Sequence, residues 1–502
     1  MPRQRMTIAA GHDGERILCL RLSGLGDLVH ALNALALLRR ERPEAHIAWA
    51  LEDRFAGLLT GHPHVDELIV VPRGPWAAAL KRPWRWPGLA PALSRFASGL
   101  RERRFDASVD FQSSLKSAWL VRAARAGLRI GFDRPVSREL NRLVQNSLVR
   151  VPAAGVHRIE RDLALLAPLG IPTCYAEPLV PVSPQDAEAA DRLLSGTLAG
   201  GPLVVIHPGT SKAAAFKRWL PDRYAAVADE LVTKRTADVL VTCGPEDRDL
   251  AEEVLRLMRC RGALAPRTQN LQQFARLVSR AALFVGSDTG AMHIASALGA
   301  PVVALFGPKD PVQTGPYCSR SMVVTGQAGC RPCNRRKCSH VRCMTSISAE
   351  SVLDAAIQVL DGAGECRARQ GPIKAPFTAG LGFGQWRGRV ATCYGSPEFL
   401  EWLRSLTASA GAGAASAPSV AGLPGRLVVR TGATEALGRR RARAEWDAAL
   451  GDWPGPPAAR PAPFPVCFME KRGGQEADWV LVSEEERAPR PARHEKEERR
   501  HV

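Results

Sequence analysis

The chain has 502 residues, of which 45% are hydrophobic, and a formal net charge of +18 at pH 7. Its length gives room for two or three domains, and no apolar run is long enough to span a membrane. The N-terminus lacks the apolar core of a secretory signal, so we expect a cytoplasmic protein. The charge favours a polyanionic partner unless it only reflects an arginine-rich composition. With 6% aromatic residues and no nucleic-acid module, no nucleic acid is expected.

The first 150 residues alternate apolar runs with helical patterns. Strands are predicted at residues 16–22, 46–51, 67–71 and 105–111. Between the first two strands, leucines recur at helical spacing over residues 27–40. Strands that alternate with helices favour a parallel sheet. We therefore predict a Rossmann-like domain over residues 14–150, followed by a connection over residues 151–200.

The same pattern begins again after residue 200. Strands are predicted at residues 203–206, 239–242, 283–285 and 302–306. Each of these strands opens into a turn that contains glycine, where backbone N–H groups can meet phosphate groups. A helix at residues 349–360 closes this second Rossmann-like domain, which spans residues 201–362. The fold class that follows is α/β.

The composition changes after residue 362. Residues 363–425 are predicted to be a linker, because glycine, alanine, serine and proline dominate residues 408–425. Residues 426–486 regain short strand-like runs and are predicted to form a small extension. The charged residues 487–502 are predicted to be disordered.

Four motifs carry a resemblance to a known family. They occupy residues 21–27, 207–210, 217–219 and 288–293. In order and spacing they resemble the motif set of glycosyltransferase family 9, the lipopolysaccharide heptosyltransferases, over residues 14–362. The resemblance implies a GT-B-like fold, in which two Rossmann-like domains face each other across a cleft. It also implies inverting transfer from ADP-heptose, held by the second domain, to a lipopolysaccharide core acceptor on the first, with no cofactor and no metal in the chemistry.

Asp27 follows the first strand on a turn that also contains Gly24 and Gly26. A carboxylate at this place has two interpretations, which both stay open. It can accept the proton of an acceptor hydroxyl, or it can cap the helix that follows. In the family the matching aspartate is the proposed general base, and the two glycines are turn residues that let the acceptor approach.

The second domain contains the expected diphosphate site. The hydroxyls of Thr210 and Ser211 can bind diphosphate oxygens, and Lys217 can neutralise the leaving group unless it is an ordinary solvated residue. The turn at Thr289 and Gly290 precedes a helix, so its N–H groups and the Thr289 hydroxyl are expected to bind phosphate.

Three further residues complete the predicted donor site. His293 lies one turn into that helix and either donates to phosphate or packs on the sheet. Asp288 would repel a diphosphate, so we expect it to bind sugar hydroxyls or to orient the loop. Glu246 matches a family position near the nucleotide ribose.

Cys330, Cys333, Cys338 and Cys343 lie within 14 residues of one another. A disulfide is disfavoured in the cytoplasm. Four thiolates at this spacing can enclose a structural zinc ion, and the alternative is a set of free or redox-labile thiols.

One segment combines tryptophans with basic side chains. Its members are Trp76, Lys81, Arg82, Trp84, Arg85 and Trp86. This mixture suits an anionic membrane surface and predicts a protein that is peripheral on the inner face of the inner membrane. The alternative is a surface loop whose tryptophans pack in the core.

Two other functions compete with glycosyl transfer. A degenerate relative that only binds would be a basic scaffold at the membrane, whereas a nucleotide-sugar epimerase would need its own base residues, which are not recognisable. The extension faintly resembles the N-lobe of lipopolysaccharide kinases at Arg430 and Glu445. No catalytic-loop motif follows, so kinase activity is not expected.

Overall fold

The computed structural model describes residues 14–82, 86–137, 139–196, 198–317, 319–333, 335, 337–366, 378–381 and 392–393. Residues up to 382 form one compact unit that contains the two domains, and residues 383–502 form a second unit. The second unit contributes one described strand, Thr392–Cys393. The remaining residues of the predicted linker, the extension with Arg430 and Glu445, the tail at 487–502, Trp84 and Arg85 lie outside the described residues.

The first domain alternates strands and helices. Its strands are β1 (Arg16–Leu20), β2 (His46–Glu52), β3 (Glu67–Val71), β4 (Ala107–Asp110), β5 (Leu128–Phe132) and β6 (Ser147–Arg150). Its helices are α1 (Leu25–Glu41), α2 (Ala56–Leu59), α3 (Arg73–Leu80), α4 (Trp86–Glu102) and α5 (Leu115–Ala124), followed in the connection by α6 (Arg158–Ala164) and α7 (Pro184–Ser195). The strands are parallel and lie in the order β3-β2-β1-β4-β5-β6.

The second domain repeats this arrangement. Its strands are β7 (Leu203–His207), β8 (Asp238–Val241), β9 (Gly262–Leu264), β10 (Leu283–Ser287), β11 (Val302–Phe306) and β12 (Ser321–Thr325). Its helices are α8 (Pro221–Arg235), α9 (Arg248–Leu257), α10 (Leu271–Ser279), α11 (Gly290–Ala297), α12 (Pro311–Thr314), α13 (Arg342–Thr345) and α14 (Ala349–Leu360). The strands are again parallel, in the order β9-β8-β7-β10-β11-β12. The predicted α/β class with two Rossmann-like domains is confirmed.

Strand order fixes where a ligand can bind. In each sheet the order reverses once, between β1 and β4 in the first and between β7 and β10 in the second. Crevices open at such switch points, outside the carboxyl ends of the strands. Asp27 follows β1, whereas Thr210 and Asp288 follow β7 and β10. After the second domain the chain returns to the first sheet, where β13 (Thr378–Leu381) pairs antiparallel with β6.

Burial on both faces explains the continuous apolar strands. Residues 17–20 of β1 are completely buried, as expected for a parallel strand that helices cover on both sides. Helix α1 is buried from Leu28 to Leu38, and it packs against both α6 and α11 of the second domain. Within the described residues, no helix combines the length and apolarity that a membrane span requires.

The tryptophan segment is partly a packing feature. Trp76 of α3 lies with its ring centroid 5.2 Å from that of Phe96 and 5.9 Å from that of Trp119. Lys81 and Arg82 are exposed at the end of α3. Trp76 is therefore half-buried in a helix and packed against two aromatic residues, whereas the membrane contact of this segment stays a prediction.

Candidate active site

The turn between β1 and α1 is held by the neighbouring strand. The backbone amides of Leu22 and Ser23 donate to Oε1 of Gln112, at 3.0 and 3.1 Å, and Gln112 follows β4. Gly24 has a φ of 87°, a conformation that favours glycine, and α1 begins directly after it. The turn is thus fixed at the switch point of the first sheet.

Asp27 lies in the first turn of α1. The N-cap position belongs to Gly24, and no side chain caps this helix, so the interpretation of Asp27 as a helix cap is wrong. Nη2 of Arg21 lies 2.5 Å from Oδ2 of Asp27, and Arg158, the first residue of α6, pairs with Oδ1. A quarter of the Asp27 side chain, 25%, is exposed. Two guanidinium groups therefore orient a carboxylate that solvent still reaches.

A second carboxylate lies close to these arginines. Asp162 of α6 is buried, and burial raises its pKa to about 7 against the opposing charges of Arg21, Arg158 and Arg161. Sequence reasoning misses both Arg158 and Asp162. Both lie in the region that the sequence predicts as a connection between the domains, and nothing in its pattern indicates which residues meet Asp27.

Lys217 and His293 both contact Asp288. Nζ of Lys217 lies 2.7 Å from Oδ2 of Asp288 and 3.0 Å from its carbonyl oxygen. Nε2 of His293 lies 3.2 Å from Oδ1. The Lys217 side chain is 16% exposed, so the alternative of an ordinary solvated lysine is wrong.

These contacts explain how an aspartate can stand in the predicted diphosphate site. Burial works to raise the pKa of Asp288, but the hydrogen bond from His293 and the charge of Lys217 outweigh it and hold the pKa below its usual range. The carboxylate is ionised and its charge is compensated locally by the lysine. Two of the three ammonium donors of Lys217 point to Asp288, which leaves the third for a phosphate oxygen.

The hydroxyl residues of the predicted donor site differ in their surroundings. Thr210 is buried, and its Oγ1 and carbonyl oxygen accept from Arg218 at 3.1 and 2.8 Å. Ser211, the next residue, is exposed. Thr289 is the N-cap of α11, and its side chain accepts from the amide of Met292 at 3.5 Å. Helix α11 thus begins at Gly290, directly after the end of β10.

The turn after β8 contains two neighbouring carboxylates that differ in burial. Glu246 is exposed in the turn after β8, whereas Asp247 is buried. Within the described residues, Oδ1 of Asp247 has no hydrogen-bond partner, and a Cβ at Gly209 would overlap its carboxylate. Asp247 is therefore a candidate ligand group that sequence reasoning misses.

The motifs of the two domains are in direct contact. A Cβ at Gly26 would overlap the ring of His293, and a Cβ at Gly290 would come within 2.6 Å of Cδ2 of Leu25. In addition, Nε2 of His30 lies 3.1 Å from Nδ1 of His293. Segments more than 260 residues apart in the sequence therefore meet, and they bring the predicted acceptor-side turn at Gly24 and Gly26 next to the Lys217–Asp288–His293 group.

Each of the four clustered cysteines is outside any disulfide in the described residues. Cys330 and Cys338 are exposed, Cys333 is half-buried and Cys343 is buried. Burial, and then the charges of the other three thiols, raise the pKa of Cys343. In the part of the chain that the structure describes, no three histidine, cysteine or acidic side chains converge closely enough to hold a metal ion.

Comparison with known proteins links this geometry to one family. The family model described as glycosyltransferase family 9 (heptosyltransferase) matches residues 93–343. Lipopolysaccharide heptosyltransferase 1 of Pseudomonas aeruginosa is 31% identical over 330 residues, which cover 65% of this chain and 88% of that protein. Lipopolysaccharide core heptosyltransferase OpsX of Haemophilus influenzae is 27% identical over 316 residues, 62% of this chain and 85% of that protein.

Two solved structures share the fold. The family 9 glycosyltransferase of Veillonella parvula has a TM-score of 0.57 at 22% identity, and the match covers 70% of this chain and 98% of that chain. The ADP-heptose lipopolysaccharide heptosyltransferase II of E. coli has a TM-score of 0.53 at 23% identity, with 69% and 98% covered. Both therefore support the two-domain, GT-B-like fold.

Proposed function

Since the chain belongs to glycosyltransferase family 9, the heptosyltransferase family, we propose that it transfers heptose from ADP-heptose to a lipopolysaccharide core acceptor. The observation that carries this proposal is the contact between Gly26 and His293. It brings a carboxylate, Asp27, and a phosphate-binding arrangement, Lys217 with the α11 N-terminus, to the same place between two domains.

The proposed reaction is a single displacement. Asp27 takes the proton of the acceptor hydroxyl, whose oxygen attacks the anomeric carbon of the heptose. The bond from that carbon to the diphosphate oxygen breaks, and ADP leaves with its electron pair. Attack opposite the leaving group inverts the anomeric configuration.

The leaving diphosphate needs positive charge. Lys217 and the N-terminus of α11 supply it in the way that a bound metal does in other transferases, so we expect transfer without a divalent cation. Arg218 orients Thr210 beside them. We place the reaction at the cytoplasmic face of the inner membrane, where the protein is peripheral.

The test is turnover by the purified full chain. Lipid acceptor that lacks the heptose is incubated with a panel of nucleotide sugars, and the products are identified by mass spectrometry. We expect transfer from ADP-heptose alone. Turnover with another nucleotide sugar would identify that compound as the donor in place of ADP-heptose. Absence of any turnover would favour the non-catalytic scaffold.

A further inference from the structure

Three leucines of the first domain are largely exposed to solvent. Leu115, Leu140 and Leu143 are 57%, 65% and 55% exposed, and among the described residues they are the most exposed large hydrophobic side chains. Leu115 begins α5, and the other two belong to the 3₁₀ helix Leu140–Leu143, which packs against α5. We call these three residues the leucine patch.

A buried polar network holds the leucine patch in place. Asn141 lies between its members and is completely buried, and its Nδ2 donates to Asp110 Oδ2 at 2.7 Å and to the Ser114 carbonyl oxygen at 3.0 Å. The amide of Leu115 donates to Glu139 at 2.5 Å. The leucines are therefore presented by an anchored surface, and not by a frayed loop. Large apolar side chains that are exposed on such an anchored surface mark a candidate interaction site.

Basic residues lie on the two elements that carry the leucine patch and on the segment ahead of the 3₁₀ helix. Lys116 and Arg122 are exposed on α5, Arg134 is exposed ahead of the 3₁₀ helix, and Arg142 is a member of that helix. The nearest acid, Glu139, is engaged by the amide of Leu115. An apolar centre with a cationic rim is complementary to a bilayer whose headgroups are anionic, and the net charge of +18 acts in the same direction.

The leucine patch also adjoins the acceptor-side turn. Leu115 comes three residues after Gln112, which holds the amides of Leu22 and Ser23 ahead of Asp27. We propose that the leucine patch inserts into the surface of an anionic bilayer and thereby brings this turn to a lipid-linked acceptor. The nature of the acceptor rests on the proposed function, whereas the bilayer contact does not.

The experiment measures co-sedimentation of the full chain with vesicles, in the absence of donor. Vesicles of phosphatidylglycerol and phosphatidylethanolamine are compared with vesicles of phosphatidylcholine. The variant Leu115→Ser/Leu140→Ser/Leu143→Ser is compared with Leu257→Ser/Val312→Ser, which changes exposed residues of the second domain, 36% and 42% exposed. Each patch leucine is expected to contribute about tenfold in affinity, so the triple variant should bind anionic vesicles roughly 10²- to 10³-fold more weakly.

The control variant should bind as the wild type does, and thermal melting should confirm that both variants are folded. Equal binding by the triple variant, or equal binding of the wild type to neutral vesicles, would overturn the proposal. So would a wild-type dimer that the triple substitution converts to a monomer in light scattering, since the patch would then be covered by a second copy of the chain. Because no turnover is measured, failure of the proposed function leaves these outcomes unchanged.

Discussion

Nε2 of His30 lies 3.1 Å from Nδ1 of His293, and this hydrogen bond joins α1 of the first domain to α11 of the second. The carboxylate of Asp288 can only accept, so His293 donates to it from Nε2. A neutral His293 then accepts at Nδ1, and His30 is the donor. This tautomer leaves Nδ1 of His30 unprotonated, which fits the absence of any partner for that buried atom among the described residues. The histidines thus couple the domain contact to the orientation of Asp288.

The coupling predicts a pH dependence of stability. Burial is the largest cause that lowers the pKa of His30 well below 6.5, and the positive charge of Arg21 acts in the same direction. The unfolded chain therefore binds this proton first as the pH falls. The stabilisation is complete above the unfolded pKa, near 6.5, and is lost as the pH decreases from there towards the folded pKa.

The variant His30→Gln isolates this effect, because the Gln amide keeps a donor near the Nε2 position and does not titrate. Below pH 6.5 the free energy of unfolding of the wild type should fall relative to the variant by about 1.4 kcal/mol per pH unit. Urea unfolding at several pH values measures the difference. His340→Gln, on the exposed cysteine segment, is the control, and parallel curves for wild type and His30→Gln would contradict the prediction.

Lys217→Gln should weaken the interaction with the departing diphosphate. The substitution removes the ammonium charge and also leaves Asp288 without its cation, so we expect kcat/KM for the donor to fall roughly 10²-fold. Steady-state kinetics with varied donor and calorimetry with ADP measure the two effects. Lys212→Gln is the matched control, since Lys212 is exposed at the start of the 3₁₀ helix Lys212–Lys217, which ends at Lys217. Similar kinetics for both variants would exclude the assigned role of Lys217.

Gly26→Ala should disturb the domain contact. The added methyl group overlaps the His293 ring, and overpacking of this kind typically costs about 1–3 kcal/mol. We expect a lower Tm together with a lower kcat, because His293 moves with Asp288. Gly88→Ala, where a Cβ meets no atom within 4 Å, is the control: it should leave kcat unchanged and should not lower Tm, since alanine is the better helix former in α4. An unaffected kcat in Gly26→Ala would show that this contact has no influence on the transfer step.

The cysteine cluster gives a metal prediction that elemental analysis decides. If Cys330, Cys333, Cys338 and Cys343 close around zinc, protein purified without added metal should contain about one equivalent. A content below about 0.1 equivalent would leave free thiols as the interpretation. In either case we expect turnover to survive EDTA, because no metal is assigned to the transfer step.

The sequence pattern predicts the framework of this fold well and its local pairings poorly. Eight predicted strands are found, because each is an apolar run that ends in a polar or glycine-bearing turn. Strands β5 and β6 are missed, since arginine, glycine and serine interrupt their short apolar patterns. Strands β9 and β12 are edge strands with half-buried residues, and their periodicity is correspondingly weak.

The residues of the candidate site are also of two kinds, those that the sequence predicts and those that it does not. Asp27, Asp288 and His293 stand in motifs that follow strands, where ligand crevices open, whereas the role of Lys217 is implied by the family resemblance. The partners Arg158, Asp162 and His30 come from helices α1 and α6, whose contacts depend on how the domains pack. No local pattern contains that information. The roles of the motif residues stay predictions until they are tested by substitution.

Asp27→Asn tests the general base. The substitution keeps the shape of the side chain but removes proton acceptance, so kcat should fall about 10²- to 10⁴-fold while the affinity for ADP stays nearly constant. Because Arg21 and Arg158 lose their shared anion, some loss of stability is also expected. Asp66→Asn provides the matched control: Asp66 pairs with Arg39 at 2.5 Å in the same domain, so its variant loses an arginine-bound carboxylate without any place in the transfer step. Near-normal turnover in Asp27→Asn would refute the base assignment. The assignment is supported if Asp27→Asn is folded and binds ADP but has lost turnover, while Asp66→Asn stays active. That result would also exclude the non-catalytic scaffold.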